Sequence, residues 1–482
     1  MCPGSSPTVA IASSAAAERA GRSEPFVALD AAPCDSLRFA SLLGSLERRT
    51  AVRHHSFVAR EFRRIPVAAL CSCVVFVCFG CARTDPHVLT FAGSAVGREG
   101  EAIRRQLDSF QALHPAIRVE VQSTPDAADH RHQLYVQWLN ARAADPDVLQ
   151  LDVVWAPEFA AAGWILDLDR FRPQIDDFFP ATLTANRWNG ALYALPWFVD
   201  VGMLYWRKDL MARAPTNLDE LRQLATRGTR EQAIPFGFVW QGARYEGLVT
   251  VFLELLGAFG GAILDDHGRV VVDSDRAVDA LTWMRDSIDV DRIVPASALT
   301  WQEEQVRLAF QNGQAVFMRN WPYAHALLQD PSQSRVAGRF GIAPMPATSG
   351  GSPTAALGGS VLGINANSGD TDAAYQLIEY LLEPAQLLTR ARIVGQYPPR
   401  PTMYETKELE DALRIAPSDA RRIIEHAVPR PATPIYSELS QTLQIALHRA
   451  LTRQQEPRAA LHQAATAMRS LLARAELDGE QP

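Results

Sequence analysis

Residues 88–121 read VLTFAGSAVGREGEAIRRQLDSFQALHPAIRVEV. The apolar run 88–92 has strand character. Ile103, Leu107 and Phe110 then recur at helical spacing until Pro115, and 117–121 alternates with a period of two. The grammar continues with a helix over about 130–143, carrying Leu134, Trp138 and Ala141 on one side. A turn at Asp145-Pro146-Asp147 leads into the apolar strand VLQLDVVW at 148–155. Strand, helix, strand, helix, strand needs crossover connections, so the spacing predicts a parallel sheet in an α/β domain. Ligands of such sheets collect beyond the carboxyl ends of the strands.

A second α/β unit follows. Thr216-x-x-Asp219 resembles a capping box opening a helix. PFGFVW (235–240) reads as a strand, 245–256 as a helix, and AILDDHGRVVV (262–272) as a hairpin turned at Asp266-His267-Gly268. Helices over 275–288 and 303–312 precede the strand AVFM (315–318). VLGIN (361–365) and a helix over 371–382 add another pair, and the tail from 418 is mostly helical.

At 482 residues the chain is too long for one core and implies two or three domains. A formal net charge of −7 leaves no basic surplus for nucleic acid. All cysteines (Cys2, Cys34, Cys71, Cys73, Cys78, Cys81) lie in the first 81 residues, so the rest needs no disulfide framework and has no zinc-ribbon spacing. They surround the apolar run IPVAALCSCVVFVCFG (65–80), which is shorter than a bilayer span of about 20 residues. Arg60, Arg63 and Arg64 before it, and Gly80-Cys81 after it, give the form of a secretory signal of the lipoprotein type, with Cys81 as the acylated residue. Cleavage at another site, or an uncleaved anchor, is the alternative. Residues 1–64 comprise an Ala/Ser/Arg/Pro-rich extension, read as a disordered tail or an overextended reading frame, and the signal n-region.

Several apolar strands end in polar or aromatic groups. Glu99 follows the first, Asp152 lies in QLDVVW, and Asp200 lies in ALPWFVDVGMLYWRKDL (194–210). A carboxylate in an apolar strand is costly unless it is paired or hydrogen-bonded, so two of them point to a site. Rings accumulate at Trp155, Trp197, Tyr205, Trp240, Tyr245, Trp301, Trp321 and Tyr323. Carboxylates, guanidinium groups and flat rings together suit a sugar, whose C–H faces stack on rings while its hydroxyls donate to carboxylates. Asp152 and Asp200 could alternatively serve a secreted glycoside hydrolase, which needs two carboxylates about 5–9.5 Å apart. His130 and His132 in DHRH fall on different helix faces, so no metal is expected. No nucleophilic Ser or Cys constellation is present, and no cofactor is expected.

DVLQLDVVW, ALPWFVDVGMLYWRKDL, GFVWQGARYEGL, EEQVRLAFQNGQAVFMRNWPYA, AALGG and HAVPRPATPIYSELS together resemble the trehalose/maltose-binding proteins of ABC importers, extracellular solute-binding proteins of the maltose-binding type. The resemblance covers about 88–472. It implies a two-lobe periplasmic-binding-protein fold of type II, with mixed sheets flanked by helices and the ligand cleft between the lobes. The implied first lobe is 82–198 with 362–412, and the second is 199–361 with 413–478. It also implies high-affinity capture of an α-linked disaccharide outside the cytoplasmic membrane, without catalysis. Hinge closure then delivers the sugar to membrane permease subunits driven by a cytoplasmic ATPase. The protein is expected to act as a monomer, lipid-anchored or released. Carried across by position, the ligand residues are Glu99, Arg131, Asp152, Asp200, Tyr245, Glu246, Trp321, Tyr323, Gly359, Ser360 and Arg430. Trp321 and Tyr323 are the stacking rings, with Pro322 stiffening RNWPY. Ser360 stands where several relatives carry Trp, which opens space for a different or longer sugar.

Overall fold

The computed structural model describes residues 87–478, apart from 95–96 and 126–127. The expected extension, signal run and Cys81 lie outside the described residues. Among the described residues, no helix is long and apolar enough to cross a membrane.

Two sheets organise the molecule. The first contains β1 (His87–Gly93), β2 (Ile117–Ser123), β3 (Val148–Asp152), β4 (Leu195–Val201), β9 (Ala355–Ile364) and β10 (Ala427–Val428). The second contains β5 (Met203–Arg207), β6 (Phe236–Val239), β7 (Ala315–Asn320) and β8 (Phe340–Ala343). The first runs in the order β10-β9-β3-β1-β2, with β4 also pairing β9. β1 is parallel to β2 and β3, as crossover helices require, whereas β9 is antiparallel to both β3 and β4. The second runs β8-β5-β7-β6.

Helices α1 (Gly97–Leu113), α2 (Ala128–Asn140), α3 (Ala156–Ala161), α8 (Thr371–Leu381) and α9 (Pro384–Val394) accompany the first sheet. Helices α4 (Leu218–Glu231), α5 (Glu246–Ala258), α6 (Asp275–Asp289), α7 (Glu303–Gln311), α10 (Tyr436–Leu451) and α11 (Pro457–Asp478) accompany the second. The 3.6-residue spacing of Ile103, Leu107 and Phe110 buries one face of α1 beneath the first sheet, with Leu89 and Phe91. In the other core Leu248, Val249 and Phe252 of α5 meet Leu281 and Met284 of α6, and Leu443 and Leu447 of α10.

The run 194–210, one uninterrupted apolar stretch in sequence, divides at Gly202 into strands of different sheets. The sheets therefore exchange at Gly202, beyond the expected boundary at 198/199. β9 lies wholly in the first sheet, although 361/362 was the expected boundary there. Gly202 is required by space: a Cβ would lie 1.7 Å from Glu254 Oε1 and 2.5 Å from Arg319 Nη2.

Two local expectations shift. The N-cap of α4 is Asn217, whose side chain accepts from the Glu220 N–H at 2.9 Å, while Glu220 accepts from the N–H and hydroxyl of Thr216. The cap is thus Asn217, with extended backbone, one residue later than Thr216, and the reciprocal bond of a box is absent because Glu220 reaches Thr216 instead. Residues 262–272 do reverse at Asp266-His267-Gly268, with the Gly268 N–H donating to the Asp265 carbonyl at 2.9 Å and Leu264 bridging Val270, but they form no regular strands; the Asp265 carboxylate takes the N–H groups of His267 and Arg269.

Candidate functional site

The floor of the site is built on β9. Its residue Ser360 lies opposite Asp152 on β3, and Gly358 lies opposite Asp200 on β4, so one strand sets the two carboxylates on either side of it. Gly358 and Gly359 leave this strip without side chains. At Gly359, φ is +116° and a Cβ would lie 2.2 Å from the Phe198 carbonyl oxygen, so only glycine fits. The register shifts between Ser360 and Val361, an irregularity of the kind that re-aims side chains beside sites. The Ser360 hydroxyl accepts from Gln150 Nε2 at 3.1 Å, and Gln150 Oε1 holds the Ser94 N–H at 2.9 Å. Glu99, in the first turn of α1, accepts from Gln396 Nε2 at 3.0 Å.

The opposing wall comes from the second sheet. β7 ends at Asn320, whose Oδ1 accepts from the Trp321 N–H at 2.8 Å, while the Tyr205 hydroxyl donates to the Trp321 carbonyl at 2.8 Å. Pro322 then starts a short helix at Tyr323, where its fixed φ suits the turn and its lost N–H costs nothing. The Trp321 indole N–H points to Glu303 at 3.4 Å and the Tyr323 hydroxyl donates to Glu304 at 2.8 Å, so both rings are held by the start of α7. Trp321 reaches across to the floor: a Cβ on Gly358 would stand 3.3 Å from its Cζ3.

Arg430 joins the two sides. It is buried, and its guanidinium donates to Asp152 at 2.7 Å and to Glu246, at the start of α5, at 2.8 Å. Glu246 also accepts from the Tyr436 hydroxyl at 2.6 Å and from the Ser440 hydroxyl. Burial opposes the charge on Arg430, but Asp152 and Glu246 outweigh it and raise its pKa further.

These groups surround one cavity of about 810 Å³. Every residue expected from sequence lines it: Glu99, Arg131, Asp152, Asp200, Tyr245, Glu246, Trp321, Tyr323, Gly359, Ser360 and Arg430. Of the neighbours on α2, Arg131 faces this cavity. His132 instead bonds Glu158 at 2.9 Å and lines an adjoining cavity of about 490 Å³. Among the described residues, no group of three or more His, Cys, Asp or Glu could hold a metal. Gln150, Glu303, Arg307 and Arg98 also line the cavity; they lie within the quoted stretches, but as common polar residues at no diagnostic spacing they carried no separate signal.

The sequence matches the bacterial extracellular solute-binding proteins over residues 94–387. The chain belongs to this family. This solute-binding protein is 35% identical over 390 residues to a probable ABC transporter-binding protein of Deinococcus radiodurans, covering 77% of this chain and 91% of that one. Among solved structures it is similar to maltose-bound MalE3 of T. maritima, with a TM-score of 0.76 and 41% identity over 80% of this chain and 99% of that one. The sugar-binding protein MalE of Xanthomonas citri aligns with a TM-score of 0.66 and 25% identity, covering 82% and 100%. Solute-binding proteins of this family are extracytoplasmic binding components and not enzymes. The two sheets with their helices are the two lobes of that architecture, and the cavity lies between them.

Proposed function

We propose that this protein captures an α-linked disaccharide of the trehalose/maltose class and, on closing, presents it to the permease of an ABC importer. The observation that supports this reading is the convergence of Glu99, Asp152, Asp200 and Arg430 with the rings of Trp321 and Tyr323 on one cavity of about 810 Å³. The C–H face of a pyranose would lie on the Trp321 indole, and its hydroxyls would donate to the carboxylates. A hydrolytic role for Asp152 and Asp200 has no support: the relatives are binding proteins, and Asp152 is already paired with Arg430. Closure would pivot where the chain passes between sheets, at Gly202 and next to β9 and β10. The protein is further proposed to be tethered by an acyl group on Cys81; a mature chain whose mass shows no lipid, or a different first residue, overturns that point.

The carboxyl of Asp200 supplies a test. Its Oδ1 is buried and receives no hydrogen bond from the described residues. Burial first, and then the nearby Glu99 and Asp152 carboxylates, push Asp200 up to about 7, against the pull of Arg390 and Arg319. In the empty protein this makes stability fall as pH rises from about 4 through about 7, because the unfolded chain ionises first. Binding runs the other way. A sugar hydroxyl donating to Asp200 favours the carboxylate, so below about pH 7 binding must release a proton. Affinity is expected to be flat above that pH and to drop by up to about tenfold per unit below it. Calorimetry with maltose and trehalose across this range checks it, with Asp200→Asn expected to be weaker but pH-independent. No measurable heat with any disaccharide overturns the proposed ligand class.

A further inference from the structure

The guanidinium of Arg319 lies under the Trp321 indole, with Cζ 3.9 Å from the ring centroid. Arg319 is fully buried and cannot reach a ligand itself. It is fixed by Glu254 of α5: Nε lies 3.1 and 2.9 Å from the two carboxylate oxygens, and Nη2 donates to Oε1. Nη1 also lies 3.4 Å from Gln241 Oε1. Glu254, equally buried, accepts in addition from the Ala356 N–H at 3.3 Å. The Ala356 carbonyl in turn accepts from the Gly202 N–H at 3.3 Å. One ion pair therefore touches the back of the stacking ring and both strands at the crossover, two residues before the Gly358-Gly359 floor.

Stability does not account for such a pair. Desolvation cancels most of its Coulomb attraction, and apolar residues of similar shape often do as well or better. Its contacts suggest another use. The ring is clamped by a cation on one face, and the cation is clamped to the backbone that must move when the lobes close.

We propose that Arg319 and Glu254 are positioning residues that hold Trp321 at a fixed attitude relative to the Gly202/Ala356 crossover, so that stacking of a ligand and closure of the lobes are coupled. This rests on reading the cleft as a saccharide site.

The variants are Arg319→Met with Glu254→Gln, which neutralises both partners with little change of shape, and Arg319→Lys, which keeps the charge but loses the fork. Trp321 is isolated spectroscopically by subtracting the spectrum of each background carrying Trp321→Phe. In ligand-free protein, the Trp321 difference spectrum of the double variant is expected to shift. Its maltose Kd should weaken at least tenfold, and compaction on saturation, followed by small-angle scattering, should shrink. Arg319→Lys should fall between it and the parent. A folded double variant with the parental difference spectrum and a Kd within twofold overturns the proposal. If the double variant does not fold, Arg319→Lys decides by the same two readouts. A parent protein that binds no disaccharide counts against the saccharide reading, while the ligand-free spectra still judge the positioning role.

Discussion

Trp321→Ala is expected to weaken disaccharide binding about 30- to 100-fold while leaving the fold intact. The indole is half-buried, it is aimed at the floor near Gly358, and it is held at its backbone, its N–H and its lower face. A ring that is already ordered costs little entropy to use, and a central aromatic anchor of this kind carries roughly 2–3 kcal/mol. Truncation also removes the surface that excludes water from the carboxylates, so their hydrogen bonds to hydroxyls weaken too. Titration of parent and variant with maltose and trehalose, beside a thermal melt, measures both effects. A Kd within threefold of the parent's would remove the ring from the site.

Arg430→Met is expected to cost more, and to cost stability as well as binding. Asp152 and Glu246 keep side-chain exposures of only 17% and 12%, so loss of their shared cation leaves two partly desolvated carboxylates facing each other. Removing one partner of a buried ionic cluster destabilises by about 3–5 kcal/mol. Asp129, which burial and then Glu246 and Asp152 already hold above the usual carboxylate range, would be drawn further the same way. The variant should melt several degrees lower at neutral pH, and part of that loss should disappear on acidification, because protonation relieves the repulsion. Adding Asp152→Asn and Glu246→Gln should restore the melting temperature without restoring affinity. Recovery of binding in that triple variant would mean that the cluster serves the fold alone.

Local pattern carried much of this fold. β1, α1, β2 and β3 were legible because each hydrophobic period is completed within a dozen residues or so. The division at Gly202 was not, since strands buried on both sides read as continuous apolar sequence and periodicity is silent about which sheet a strand joins. The placement of β9 between β3 and β4 was hidden for a related reason: its partners lie some 160 to 210 residues away. At the site, strand-end carboxylates and the rings of RNWPY stood out against an apolar background, and resemblance supplied Gly359 and Arg430. Arg319, two residues before Trp321, carried no signal. An arginine in a strand reads as solvent-facing, and only the approach of Glu254 from another element explains its burial.

The late arrival of β9 has an effect on how the molecule assembles. This strand fills the gap next to β3 and, among the described residues, is the only strand on which β4 pairs in the first sheet, yet it begins at residue 355. Until roughly three quarters of the polypeptide has been made, the leading half therefore has no way to complete its sheet. Such long-range closure is intrinsically slow, so the first sheet is expected to be among the last parts of the molecule to become rigid.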